Sequence, residues 1–400
     1  MGIETSVKPT GYILLAPTDE IGGGVQPADE AAIYLHFPFC LRRCSYCDFD
    51  TFTGLERLIE PYLEAVVGQI RRSHKVKGAS LYIGGGTPSL MAPHQVERVV
   101  RACMGHFGIA ERDEITLEAN PADLCREKLE GFRAAGVNRL SIGVQSTDPE
   151  LLRVLGRRHD QEIAAKAIDA AREAGFTNIS VDLIFGVPNQ SLACWERTLR
   201  DVVDWGLEHI SCYSLTVEPG TPLERDIKSG QLSPPSEDDL AGMYCSAQQL
   251  LAKSGYTRYE ISNWSKPGFE SQHNLTYWRF KPYLGIGAGA ASFFEGRRYK
   301  IHPHVPDYIE WIRTGRLPLC EDETVDLRRA MSDFLILGLR LAEGISIAGF
   351  QSRFGMPIRA AFGEALDWGV KQGLLLLSDE RIKLTAQGTL LANEVFEKLL

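Results

Sequence analysis

The stretch Cys40-Leu-Arg-Arg-Cys44-Ser-Tyr-Cys47 sets three thiols within eight residues. That spacing makes a poor disulfide framework and a good metal clamp. A cubane iron–sulfur cluster has four iron corners and is usually held by four Cys thiolates, so three close ligands leave one iron open. An open coordination position is also what separates catalytic from structural zinc sites. Zinc is the rival occupant, and His36, just upstream, would have to supply its fourth ligand. Three unconnected free thiols are the remaining reading. The other six cysteines, Cys103, Cys125, Cys194, Cys212, Cys245 and Cys320, are scattered, as expected of free thiols or core fillers in a reducing compartment.

On either side of the motif, short β-branched or apolar runs alternate with longer amphipathic stretches. Six runs read as strands: 32–36, 80–83, 114–118, 138–142, 178–184 and 209–215. Helical spacing lies between them, for example over 163–174 with Gly175 as its stop and over 194–205 with Gly206 as its stop. Six βα units predict an α/β fold, an open, partial TIM-like (β/α)6 barrel whose working residues gather at the C-terminal strand ends. The first strand leads straight into the Cys loop, and the second ends in Gly84-Gly85-Gly86-Thr87-Pro88. Consecutive glycines would let the backbone approach a ligand and offer it N–H groups, although a tight turn would use them equally. The third strand ends in Glu118-Ala119-Asn120-Pro121, the fourth in Gly143-Val144-Gln145-Ser146, and the fifth contains Asp182. A polar side chain in an apolar run costs free energy unless it is partnered, by a local hydrogen bond or by a ligand. Recurrence at successive strand ends favours a polar ligand.

With Tyr46 before its last Cys, the C-x3-C-x2-C spacing resembles the signature of the radical S-adenosylmethionine (SAM) superfamily. The resemblance implies a [4Fe-4S] cluster on Cys40, Cys44 and Cys47, with the amino and carboxylate groups of SAM on the open iron. It implies one-electron cleavage of the sulfonium to a 5′-deoxyadenosyl radical, chemistry that belongs to the cofactor. It further implies that Tyr34, Tyr46, Gly85, Gly86, Thr87, Glu118, Gln145, Arg157 and Asp182 contact SAM. The Gly-rich element would hold the amino group, the carboxylates the ribose hydroxyls, and Arg157, with Arg158 adjacent, the carboxylate.

From about residue 31 to the C-terminus the chain is similar to the branch of oxygen-independent coproporphyrinogen III oxidases and their relatives. Those oxidases carry a further Cys two residues after the third cluster Cys, where this chain has Phe49. The stretch Gln272-His273-Asn274-Leu275-Thr276-Tyr277-Trp278 resembles the H-N-x-x-Y-W motif of HemW-type haem chaperones, in which the His is the proposed haem ligand. Composition alone makes His273 an ordinary hydrogen-bonded residue and Tyr277 and Trp278 core. The resemblance implies haem iron on His273 with Tyr277 and Trp278 beside the macrocycle, a haem-acceptor protein, and an electron donor. It leaves two enzyme alternatives: oxidative decarboxylation of coproporphyrinogen III propionates, and radical methylation and opening of haem. The run Gly285-Ile286-Gly287-Ala288-Gly289-Ala290 is compatible with close approach to adenine or porphyrin, and equally with tight packing.

At 400 residues the chain exceeds one ordinary core, so a second, smaller domain is expected. Residues 1–30 lack periodicity and are expected to be a flexible extension, 31–315 the barrel, and 316–400 a helical, winged-helix-like domain. In that last domain, helical spacing covers 326–341, 345–354 and 357–372, a hairpin pairs 374–377 with 381–384 around Ser378-Asp379-Glu380, and a last helix ends at residue 400. A formal charge of −9 and the absence of a basic recognition helix exclude a nucleic-acid footprint, so this domain is expected to act as a lid or docking surface. Hydrophobic content of 44%, no transmembrane-length apolar run and no signal-peptide order predict a cytoplasmic protein. A membrane-associated haem protein as acceptor and a homodimer formed through an exposed Cys loop complete the expectations.

Overall fold

The computed structural model describes residues 11–14 and 29–400. Its main sheet opens with β1 (Gly11–Leu14) and continues with β2 (Glu30–Phe37), β3 (Lys77–Gly85), β4 (Glu114–Ala119), β5 (Arg139–Gln145), β6 (Ile179–Phe185) and β7 (His209–Ser214). Strands β2 to β7 pair in chain order and in parallel, the expected six-strand partial barrel. Period-two alternation sends Ile33, Leu35, Leu81, Ile83, Ile115, Leu117, Leu140 and Ile142 outward, where helices such as Ile59–Arg72 and Pro93–Phe107 bury them in one continuous core. Each such side chain contributes roughly 1.5–3 kcal/mol of burial. The opposite face, inside the barrel, carries Tyr34, Tyr82, Glu118, Ser141, Asp182 and Ser211, with Tyr34 beside Tyr82, Glu118 beside Ser141 and Asp182 beside Ser211 in register.

The helices expected over 163–174 and 194–205 run as Gln161–Glu173 and Leu192–Asp204. Each starts earlier because Asp160 and Ser191 cap the first turn, accepting from the backbone N–H of Ile163 and Cys194. Beyond the sixth strand, the sheet gains elements that hydrophobic alternation does not reveal: β8 (Thr257–Glu260), β9 (Asn263–Ser265), β10 (Tyr283–Ile286), β11 (Ala291–Phe294), β12 (Arg297–Ile301) and β13 (Arg316–Thr324). β10 pairs in parallel with β2 and so adds a seventh parallel strand. The glycine run at its end serves packing, not a ligand: a Cβ at Gly285 would strike the Ala291 carbonyl, and one at Gly287 the Tyr62 hydroxyl. The nine residues of β13 extend the sheet past the expected boundary at 315. The flexible extension expected over 1–30 lies outside the described residues except for 29–30 and β1, which pairs antiparallel with β13.

The C-terminal unit has its own core around Leu335, Phe350, Phe362 and Leu366. It contains the helices Leu327–Leu339, Ile347–Phe354 and Ile358–Lys371 and the hairpin β15 (Leu375–Leu377) and β16 (Arg381–Leu384). The start of the stretch expected to be helical over 345–354 is a short strand, β14 (Ile345–Ser346), which makes the hairpin three-stranded. The last helix is two short ones, Ala386–Leu390 and Ala392–Glu397. Among the described residues no helix is long and apolar enough to cross a membrane.

Candidate functional site

The Cys loop leaves the C-terminal end of β2 and is pinned on both sides by backbone hydrogen bonds. Phe52 N–H donates to the Pro38 carbonyl (2.7 Å), Cys40 N–H to Phe52 (2.9 Å), and Gly86 and Thr87 N–H to Phe37 and Phe39 (2.8 and 2.9 Å). Cys40, Cys44 and Cys47 all line a cavity of about 440 Å³ at the C-terminal mouth of the barrel. The Thr87 hydroxyl donates to Cys40 Sγ (3.3 Å) and Arg157 Nη1 to Cys44 Sγ (3.4 Å). Burial pushes the Cys40 and Cys47 thiols up, so an occupant that binds thiolate must supply compensating positive charge. Zinc does not fit. Among the described residues no three His, Cys, Asp or Glu side chains converge on a single-ion site. His36, its proposed fourth ligand, has Nδ1 engaged by Tyr34 Oη (3.0 Å) and Nε2 by the Asp50 carbonyl (2.9 Å). Three cysteines on one cavity, two of whose sulfurs already receive hydrogen bonds, suit an iron–sulfur cluster, whose sulfur charge such donors stabilise.

The cavity floor is polar. Glu118 accepts from Tyr82 Oη (2.8 Å) and Gly85 N–H (3.0 Å), and burial raises its carboxyl to about 7. Asp182 accepts from the Ser141 hydroxyl (3.0 Å) and from Ser211, and burial raises it too. Gln145 sits at a β-bulge with φ of 67°, in the left-handed region that costs a non-glycine residue about 1 kcal/mol or more. Its side-chain amide lines the cavity with no protein partner among the described residues. Arg157 donates through Nη2 to the Gly143 carbonyl (2.6 Å), while its buried Nε has no partner. Burial opposes the Arg157 charge, yet Tyr46 and Cys44 hold it above the ordinary value. Arg158 is instead paired with Asp123 (2.7 Å), which separates the roles of the two adjacent arginines.

Of the residues expected to meet SAM, Tyr46, Gly85, Gly86, Thr87, Glu118, Gln145, Arg157 and Asp182 line this cavity with the three cysteines. Tyr34 does not: it lies deeper in the barrel, where its ring packs on Tyr82. The glycine N–H groups are not free for a ligand. Those at 85 and 86 are spent on Glu118 and Phe37, and a Cβ at Gly85 would come within 2.5 Å of the His36 ring. The element therefore makes room for the chain's own Cys loop and offers no free N–H nest to an anion, which suits a cationic amino group better. Tyr82, Ser141 and Tyr213 belong to the site and were not singled out from sequence. The period-two positions of β3, β5 and β7 carry that signal once the strands are set in register.

The H-N-x-x-Y-W stretch lies elsewhere. It forms the helix Gln272–Trp278, which closes the N-terminal end of the barrel, opposite the cavity. Glu114 accepts from the Gln272 and His273 N–H groups (3.0 and 2.9 Å). The His273 ring is buried, with Nδ1 bonded to Ser80 Oγ (2.9 Å) and Nε2 to Tyr277 Oη (2.8 Å). Burial and the positive charge of Arg139 lower its pKa to about 3. Trp278 packs under the Arg340 guanidinium at 4.4 Å, and Arg340 reaches the fully buried Glu260 at 3.4 Å, so this residue docks the C-terminal unit. In this conformation His273, Tyr277 and Trp278 form a barrel plug and an inter-unit contact, and His273 offers no open nitrogen to a haem iron.

Comparisons with known proteins agree with this architecture. A model of the radical SAM superfamily matches residues 34–202, and one of the HemN C-terminal domain matches residues 325–391. The protein named heme chaperone HemW from Lactococcus lactis subsp. lactis is 35% identical over 367 residues, 92% of this chain and 96% of that protein. The protein of the same name from Bacillus subtilis is 36% identical over 368 residues, 91% and 97% of the two chains. Among solved structures, coproporphyrinogen III oxidase (HemN) from Escherichia coli superposes with a TM-score of 0.82, covering 93% of this chain and 90% of that one. Its sequence identity is 23%, so this likeness speaks for the fold.

Proposed function

We propose that this chain, which belongs to the HemW family within the radical SAM superfamily, binds haem and delivers it intact to an acceptor protein. The observation that carries the reading is the end-to-end likeness to proteins named haem chaperones. The superfamily implies a [4Fe-4S] cluster and SAM, and the cavity has the donors for both. Cys40, Cys44 and Cys47 would hold the cluster; when bound, it supplies an electron and SAM supplies a sulfonium open to reductive cleavage. Around that pair, Arg157 matches the SAM carboxylate, the unpartnered Gln145 amide matches a polar group of the ligand, and Asp182 matches a ribose hydroxyl. Glu118, with a pKa of about 7, can accept from a hydroxyl or donate to one.

Phe49 supports the carrier reading over oxidative decarboxylation, since it stands where the oxidases have a further Cys. The test is to incubate anaerobically reconstituted protein with SAM and reductant, once with haem and once with coproporphyrinogen III. Haem recovered unchanged, without release of carbon dioxide from coproporphyrinogen, is the expected result. Consumption of haem or release of carbon dioxide would overturn it. The acceptor on this reading is a haem-dependent protein, membrane-bound ones included. The exposed Leu41 and Phe49 of the Cys loop also suit contact with a second copy of the chain on cluster assembly. An unchanged mass of apo and reconstituted protein in solution would sink that dimer.

A further inference from the structure

The helix Gln272–Trp278 ends in a turn that its own residues do not favour. Phe280 N–H donates to the Tyr277 carbonyl and Lys281 N–H to that of Thr276, both at 3.0 Å, the pattern in which a helix closes on one left-handed residue. That residue is Phe280, with φ of 50°, where glycine is the usual occupant and a bulky side chain is strained. Such a conformation persists only where packing over-determines it, and switch regions are among the places that use it. Here the packing comes from two sides. Phe293 of β11 lies 4.7 Å from the Phe280 ring, while the C-terminal unit brings Phe334, edge-on at 6.4 Å, and the Arg353 guanidinium at 4.9 Å. The two preceding residues are held by the same unit: Arg279 pairs with Glu343 (3.4 Å), and Trp278 lies under Arg340. This contact leaves polar groups unsatisfied, because the buried Trp278 Nε1 and Arg340 Nε have no hydrogen-bond partner.

We propose that the C-terminal unit is a latch on this turn: docked, it keeps the helix wound and His273 engaged; undocked, it lets the last turn unwind and frees His273 Nε2. Trp278, Arg279 and Phe280 are consecutive and each meets the unit, so its departure strips the strained turn of contacts at three successive residues. Tyr277 belongs to the turn that unwinds, and its hydroxyl is the group on His273 Nε2 (2.8 Å). Ser80 stays on Nδ1 (2.9 Å), since it belongs to β3, and a partner on one ring nitrogen orients the other toward an incoming ligand. Glu114 holds the first turn through the Gln272 and His273 N–H groups, so the helix opens from its C-terminal end. The unit has its own core and joins the barrel through the short segment between β13 and the helix Leu327–Leu339, about which it can swing as a body. The latch goes beyond the haem-carrying reading and does not depend on it, because it concerns when Nε2 is free, whatever then takes it.

The test compares reconstituted full-length protein with the double variant Arg353→Ala/Glu343→Ala. Amide hydrogen exchange and modification of His273 by diethyl pyrocarbonate are both read peptide by peptide in a mass spectrometer. Both substituted side chains are exposed, so neither core loses a member. Glu343 also reaches Arg381 within the unit (3.4 Å), and the helix Ile358–Lys371 and strand β3 therefore serve as internal controls. Exchange of the 277–281 amides and modification of His273 should each rise about fivefold, the size expected for losing one cation–π contact and one surface ion pair, with both controls unchanged. Unchanged exchange at 277–281 would overturn the latch, because the turn would then hold itself without the unit. Faster exchange there with His273 modified at the wild-type rate would overturn it too, since unwinding would not free the imidazole. Neither readout involves haem, so failure of the latch leaves the haem-carrying reading to its own test.

Discussion

Lowering the pH from 7 to 5 should cost this protein about 2 kcal/mol of stability through His273 alone. The imidazole is held neutral in the fold, with Ser80 on one nitrogen, Tyr277 on the other, and its pKa lowered from 6.5 to about 3 by burial and by Arg139. In the unfolded chain it titrates near 6.5, so below that pH the unfolded state binds the extra proton and is favoured. The contribution is therefore fully present above 6.5 and drains away as pH falls toward 3. At pH 5 the unfolded histidine is one and a half units into that window, and at roughly 1.4 kcal/mol per unit the loss is about 2 kcal/mol. The figure depends only on the folded value lying well under 5. Glu118 acts in the opposite sense: burial raises it from 4.5 to about 7, so its stabilisation is full below 4.5 and is lost as pH rises from there to about 7. A wild-type profile alone would mix the two. Urea unfolding of wild type and His273→Gln at pH 7 and pH 5 separates them, since every other group is common to both. The variant should lose about 2 kcal/mol less than wild type between the two pH values, whatever its stability at pH 7. Equal losses in the two proteins would mean that the imidazole titrates normally in the fold, as a solvent-accessible ligand would, and the plug assignment would fail.

Gln145→Gly should relieve the left-handed backbone at 145 and raise ligand-free stability by up to about 1 kcal/mol, while calorimetric SAM affinity falls because the amide is lost. Gly85→Ala should cost several kcal/mol or prevent cluster uptake, measured by absorbance after reconstitution, because the added carbon meets the His36 ring at a φ of 111°. Arg340→Ala should cost about 2 kcal/mol by leaving the buried Glu260 short of its countercharge, and should loosen the C-terminal unit, read as faster limited proteolysis in the segment joining β13 to the helix Leu327–Leu339.

Local pattern was enough to locate the barrel. Strand positions follow from alternating β-branched runs, helix stops from Gly175 and Gly206, and the cluster ligands from a spacing that brings Cys40, Cys44 and Cys47 into one loop. Glu118, Gln145 and Asp182 were legible because each interrupts an apolar run of a barrel strand, the first two at the C-terminal end, where a barrel places its chemistry. Strand β10 escaped notice because Gly285 and Gly287 are small for packing reasons that depend on Ala291 and Tyr62, neither of which is adjacent in sequence to the glycine it constrains. Tyr82 and Ser141 joined the site only through cross-strand register. His273 shows the limit most clearly. Its motif was readable as a string of residues, but the groups that occupy it, Ser80 at 193 residues away and Glu114 at 159, meet it only when the helix caps the barrel. Side-chain type and spacing travel along the chain, so they declare which chemistry is available; which face of the barrel a group occupies, and whether its lone pair is already taken, depends on long-range packing that no local pattern encodes.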